Sequence, residues 1–131
     1  MTYTIGALSR RTDISIATVR FYERRGLLSE PPRNAYGHRQ YDDSYVRCIT
    51  FIRRSQALGF TLAEIKELLS LREAPGNACE EVKRRASRRL DKTKEEIETL
   101  YFVRRQLQDL VERCDRARES EGCPALELLE V

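Results

Sequence analysis

The sequence predicts a mainly α chain in two parts, a small unit of short helices followed by one long helix. Three observations carry that expectation. From Cys79 to Cys114 there is neither proline nor glycine, and apolar residues recur at Ala86, Leu90, Ile97, Leu100, Val103, Leu107 and Val111, with Thr93 completing the steps of three and four. That spacing is a coiled-coil seam. Ahead of it, short apolar-periodic stretches are separated by capping and turn residues. Between the two parts, Pro75 and Gly76 interrupt any continuous helix. A chain of 131 residues supports one or two small domains. The expected layout is a domain over residues 1–72, a linker over 73–78, the long helix over 79–114 and a C-terminal loop with a short helix over 115–131.

Each element has its own signal. Tyr3 to Ile5 reads as a short extended segment, and Gly6 to Arg11 as a helix with Ile5 and Leu8 facing in. Asp13 sits in a turn, Ser15 is a suitable N-cap for a second helix to Arg25, and Gly26 stops it. Two short helices around a tight turn make a helix-turn-helix pattern. Thr18, Arg20, Tyr22 and Arg24 are expected on the outer face of the second helix, opposite buried Ile16, Val19 and Phe21. An ordinary amphipathic surface helix would show the same pattern.

Pro31, Pro32, Asn34 and Gly37 break helix, and Tyr36 to Tyr41 is expected to return as a strand, giving a β-hairpin wing. Its tip mixes cations and aromatics, Arg33, Asn34, Tyr36, His38 and Arg39, which suits a phosphate backbone. His38, the single histidine, reads as a surface or DNA-facing group and not as a metal ligand. Asp42 or Asp43 caps a third helix to about Leu58, with Tyr45, Ile49, Ile52 and Leu58 inward and Cys48 as a small core residue. Thr61 to Glu64 forms a capping box for a fourth helix whose stripe is Leu62, Ile65, Leu68, Leu69 and Leu71. After the long helix comes a polar loop, Asp115 to Gly122, and then Cys123-Pro124 opens a short apolar turn with Leu126, Leu128 and Leu129.

Bulk numbers narrow the class. Charged residues make up 34% of the chain and no apolar run is long enough for a membrane helix. The N-terminus lacks the basic-then-apolar order of a signal peptide, so a cytoplasmic protein is expected. Residues 1–60 hold ten arginines against five acids, while residues 61–131 hold fourteen Lys and Arg against sixteen acids. Arginine is the residue suited to bidentate phosphate and base contacts. Neither a catalytic histidine partnership nor a phosphate loop is visible, so an enzyme is not expected.

The cysteines add a constraint. At 1.5 Å per residue, Cys79 and Cys114 stand roughly 50 Å apart on one straight helix, so only a partner chain can join them. Pairing two copies antiparallel about a centre between Glu96 and Ile97 sets Cys79 of one against Cys114 of the other, Leu90 against Val103 and Thr93 against Leu100. An intramolecular bundle helix with incidental cysteines is equally open on spacing alone. In a reducing compartment four cysteines point to metal or redox use over a disulfide framework.

Taken in order, YTIGALSRRTDISIATVRFYERRGLL, the wing GHRQY, FIRRSQALGFTLAEIKELL and the long helix resemble the MerR family of transcription regulators across essentially the whole chain. The resemblance implies a winged helix-turn-helix DNA-binding domain and a homodimer built on a long antiparallel coiled-coil helix. It also implies pseudo-palindromic operator DNA within an over-long promoter spacer, with RNA polymerase at the same promoter. By that resemblance Thr18, Arg20 and Tyr22, with Arg24 beside them, contact DNA from the second helix. Tyr36 and Arg39 do so from the wing, and Arg53 or Arg54 from the third helix. His38 stands where relatives usually have tyrosine.

Cys79, Cys114 and Cys123 stand where the mercury-responsive members keep three ligands, and NACEEV and GCPALELL look like theirs. With antiparallel pairing, the resemblance implies two three-thiolate sites per dimer, with Hg(II) the first inducer and Pb(II) or Cd(II) the alternatives. No organic cofactor is implied. Zinc ordinarily takes four ligands, whereas large soft ions accept fewer thiolates. A thiol redox sensor, with a reversible Cys79–Cys114 disulfide between chains, uses the same residues.

Overall fold

A computed structural model of the chain describes residues 1–73, 76–117 and 122–130. In chain order it contains β1 (Thr2–Tyr3), α1 (Ile5–Thr12), α2 (Ile16–Arg24), β2 (Tyr41–Asp42), α3 (Asp43–Ala57), α4 (Leu62–Leu71), α5 (Ala78–Arg116) and α6 (Pro124–Leu129). The chain divides into two compact units, Met1–Arg85 and Ala86–Val131.

Local chemistry sets the helix starts in the first unit. Thr4 accepts from the Ala7 amide, Ser15 from Thr18, Asp42 from Ser44 and Thr61 from Glu64, so each helix begins where a side-chain oxygen can satisfy an orphan N–H. At Thr61 the box is reciprocal, because Glu64 also accepts from the Thr61 amide at 2.9 Å. The stops are equally local. Asp13 turns left-handed after α1, and Gly26 does so after α2, at φ 74°. A side chain at Gly26 would also meet the Lys66 Nζ at 2.9 Å.

Leu8, Val19, Tyr22, Leu27, Leu28, Tyr41, Tyr45, Ile49, Ile52 and Ile65 form one core, drawn from every element between α1 and α4. Tyr41 and Tyr45 meet edge to face at 5.0 Å. The Tyr45 hydroxyl reaches Ser29, and the Cys48 thiol points to the Leu27 carbonyl at 3.6 Å, so Cys48 is a half-buried packing residue.

The structure corrects several expectations. On α2, Val19 and Tyr22 are buried, while Ile16 and Phe21 are exposed. At about 100° per residue Tyr22 shares a face with Val19, whereas Phe21 lies about 200° around the helix. Leu58 is exposed, since it caps α3 after the helix has turned away from the core, and Ser55 takes the buried position. The wing is not a full hairpin. Its ladder is a single bridge between Arg33 and Arg39, and the strand that does form, Tyr41–Asp42, pairs antiparallel with Thr2–Tyr3. Two prolines without N–H groups precede the turn, and Asn34 Oδ1 draws the Tyr36 and His38 amides inward, so few groups remain for a ladder.

The second unit is organised differently. Helix α5 runs 39 residues, from one residue before Cys79 to two residues beyond Cys114, and none of its residues is buried. Leu90, Ile97, Leu100, Val103, Leu107 and Val111 are all exposed. The break at 74–75 and the loop residues 118–121 lie outside the described residues. Cys123 caps α6 without a side-chain bond, Pro124 fills its first turn, and Ala125 is its buried residue. Among the described residues, no helix is long and apolar enough to cross a membrane.

Candidate functional site

Two sets of residues were expected to act, and the structure treats their members unequally. On α2 the outward groups are Arg20 and Arg24, with Arg25 at the C-cap, and Phe21 lies under the Arg25 guanidinium at 5.8 Å. The Thr18 hydroxyl shares a hydrogen bond of 2.8 Å with Ser15 at the helix start. Tyr22 does not stand on this face. Its ring is in the core, its hydroxyl donates to Gln56 Oε1 at 3.0 Å, and burial raises its pKa against the opposing pull of Arg53. Tyr22 therefore holds α2 against α3.

The wing and the N-terminal segment line an open cleft of about 580 Å³, formed by Thr2 to Ile5, by Arg33, Asn34 and Gly37 to Gln40, and by Arg20. Tyr36 and His38 are exposed at the tip, their rings 6.4 Å apart. Arg33 donates to the Gly37 carbonyl at 2.7 Å and steadies the turn. Arg39 is engaged from below, with Nη1 2.9 Å from Glu23 Oε2 on α2. Arg53 spans to the end of α1, donating to the Thr12 and Asp13 carbonyls, which satisfies acceptors the helix leaves open. Arg54 remains exposed beside Leu58 and Phe51.

These positions sort the arginines by job. Arg20, Arg24 and Arg54 face solvent, whereas Arg39 and Arg53 are tied to the protein's own groups. Sequence reasoning missed the outward Phe21–Arg25 pair, although a strict 3.6-residue count from Val19 would have turned Phe21 outward. It also missed Glu23, whose partners lie sixteen and eighteen residues away and leave no periodic trace.

Of the three expected metal ligands, Cys114 and Cys123 come together within the second unit. Their thiols interact, since the Cys114 pKa is raised by lost hydration first, then by the neighbouring Cys123 and by Asp115. Two thiols so placed resist ionising together, and a bound cation removes that resistance. Cys79 is exposed near the start of α5, in the first unit. Among the described residues of one chain, no group of three Cys, His, Asp or Glu could hold a metal. Within the second unit one chain thus presents two neighbouring soft donors, and Cys79 precedes Cys114 by 35 residues in the sequence.

The comparisons with known proteins bear on both sets. The family model for MerR HTH regulatory proteins matches residues 3–71, and a second one, for MerR DNA binding, matches residues 46–110. The chain belongs to the MerR family of helix-turn-helix regulatory proteins. It is similar to the mercuric resistance operon regulatory protein of Bacillus cereus, at 36% identity over 98% of either chain. It is also similar to a solved transcription regulator of Ralstonia metallidurans in complex with lead(II). That likeness is 39% identity over 95% of this chain and 97% of the other, at a TM-score of 0.79. A third relative is MerR of Bacillus megaterium in complex with mercury(II), at 32% identity over 98% of this chain and all of the other, with a TM-score of 0.75.

Proposed function

We propose that the protein is a homodimeric, mercury(II)-responsive regulator that binds promoter DNA and switches transcription through three cysteine thiolates shared between its chains. The observation that carries this reading is the thiol placement. Cys114 and Cys123 of one chain make a pair, and the 35-residue step back to Cys79 is five heptads along the exposed seam of α5. An antiparallel partner sets its own Cys79 beside that pair. Soft, low-coordinate ions suit such a donor set, and zinc suits it poorly. Bound there, a soft dication supplies the positive charge that lets three thiols ionise together.

The residues do the rest. Closing Cys114 and Cys123 around the partner's Cys79 draws one chain's C-terminal segment onto the first turn of the other chain's long helix. That turn follows α4 and the DNA-binding unit, so a shift there reorients the two DNA-binding units relative to each other. Arg20, Arg24 and Thr18 from α2, Tyr36 and His38 from the wing tip, and Arg54 from α3 are the groups positioned to hold bases and phosphates. Arg39, Arg53 and Tyr22 support them from behind. Two half-sites gripped by one dimer then bend and untwist the spacer between them, realigning the promoter for RNA polymerase. The switch requires that the activating conformation bind the ion more tightly than the repressing one.

Lead(II) is the second reading, favoured by the 39% identity to the lead-bound regulator. Cadmium(II) shares the same donor chemistry. In vitro transcription with mercury, lead, cadmium, zinc and copper, each against Cys79→Ala, Cys114→Ala and Cys123→Ala, separates them. Mercury is expected to activate at the lowest concentration, and every cysteine is expected to be needed. Activation by zinc with Cys79 dispensable overturns the assignment, and activation by oxidant alone, indifferent to Cys123, favours a redox sensor.

A further inference from the structure

The wing is attached to the recognition helix through one carboxylate. Glu23 lies on α2, on the same helix as Arg20 and Arg24. Its Oε1 accepts the Tyr41 hydroxyl at 2.6 Å, and its Oε2 accepts Arg39 Nη1 at 2.9 Å. Only 11% of the Glu23 side chain and 29% of that of Arg39 are exposed, and Tyr41 is fully buried. Tyr41–Asp42 at the base of the wing also pairs with Thr2–Tyr3, and the hydrogen bonds nearer the tip are internal. Gln40 donates to Pro32, Asn34 accepts from Tyr36 and His38, and Arg33 donates to Gly37. Between the wing and the N-terminal segment lies the open cleft that Arg20 also lines, so packing gives the tip little support.

From this arrangement we infer that Glu23 is a positioning residue for DNA binding, locking the wing to α2 through Arg39 and Tyr41, and that Arg39 serves this lock instead of a phosphate. The lock sets the separation between the α2 arginines and the exposed Tyr36 and His38, which must meet phosphates at a fixed spacing along one duplex. It also neutralises a carboxylate that would otherwise face DNA from the recognition helix. Removing Arg39 leaves that anion unpaired beside the phosphates, and removing Glu23 frees the wing to move. The charge-assisted, partly buried geometry makes the pair specific, whereas a fully exposed ion pair would hold little in place.

The inference rests on the DNA-binding reading, so the probe is a duplex selected by the wild-type dimer from a random-sequence pool. Glu23→Gln, Arg39→Gln, the double variant and Tyr41→Phe are compared by affinity, salt dependence and hydroxyl-radical footprint, with thermal melting in parallel. Glu23→Gln is expected to lose about tenfold in affinity and to lose protection at the outer, wing-facing phosphates. Protection at the inner positions under α2 stays. Arg39→Gln behaves the same way, and the double variant is no worse than either single one. Tyr41→Phe, which keeps the ring in the core, loses less, in the same outer positions. The inference is overturned if Glu23→Gln binds as tightly as wild type with a full footprint. It is equally overturned if Arg39→Gln alone lowers the salt slope by about one and Glu23→Gln adds an independent loss, because that is the signature of a direct phosphate contact. Failure of the wild type to select any duplex defeats the DNA-binding reading itself, whatever the variants do.

Discussion

The helices α1 to α4 and the long helix α5 solve the same problem, stabilising helical segments in water, in opposite ways. The N-terminal unit buries ten residues in one core drawn from four helices, β2 and the loop after α2, and its helix starts are capped by Thr4, Ser15, Asp42 and Thr61. Helix α5 buries none of its 39 residues and leaves an apolar row from Leu90 to Val111 in solvent. An amphipathic helix draws most of its stability from packing. The contrast teaches that one unit is complete within a single chain, and that the other is designed to be completed by a second.

The largest expected effect attacks that second surface. Leu100→Asp with Leu107→Asp places four acids in the seam of a dimer, and the account predicts a monomer by analytical ultracentrifugation. Affinity for a two-half-site duplex should then fall by at least about 100-fold, since paired half-sites need a paired protein. A stable dimer with unchanged affinity would break the comparison. Next, Ile49→Ala in the closed core should cost about 3 kcal/mol, read by denaturant titration, to the same extent at every protein concentration. Ile97→Ala on α5 should instead lower the melting temperature in a concentration-dependent way, because association supplies its partner atoms. Thr61→Ala, which breaks the capping box of α4, is expected to cost about 1 kcal/mol.

A smaller effect follows from pH. Burial, then the bond to Glu23, pushes the Tyr41 hydroxyl from 10.0 up to about 12. The folded state therefore favours the protonated phenol. Stability from this group is complete below the unfolded value of 10.0 and drains away as pH rises towards 12. Alkaline melting of the wild type should steepen across that window, and Tyr41→Phe should remove the added slope while lowering stability near neutrality by about 1 kcal/mol for the lost hydrogen bond.

Much of the fold was legible because its signals are local. The capping residues, Gly26 and the unbroken 3.5-residue rhythm of the long helix act within a turn or two of themselves, and helix starts at Ser15 and Thr61 follow directly. Long-range terms were harder to read. That β2 pairs with Thr2–Tyr3 and not within the wing depends on residues forty apart meeting, and the Glu23–Tyr41–Arg39 lock depends on a turn folding back onto α2. At the candidate metal centre the residue types and spacing were readable, while spacing alone left a partner chain and an intramolecular bundle equally open. The approach of Cys114 and Cys123 came from the structure, because the intervening segment has no periodic pattern to measure.

The central claim is that each metal site draws on both chains, and mixed dimers test it most directly. Dimers carrying Cys79→Ala in one chain and Cys114→Ala in the other are purified with two different affinity tags and titrated anaerobically with mercury(II), following thiolate-to-metal absorption. Shared sites predict that either variant alone binds no three-thiolate mercury. The mixed dimer should regain one site, because the intact Cys79 of one chain still faces the intact Cys114 and Cys123 of the other. Absence of any recovered site in the mixed dimer, alongside two in the wild type, would mean that each chain binds metal by itself, and would contradict the account.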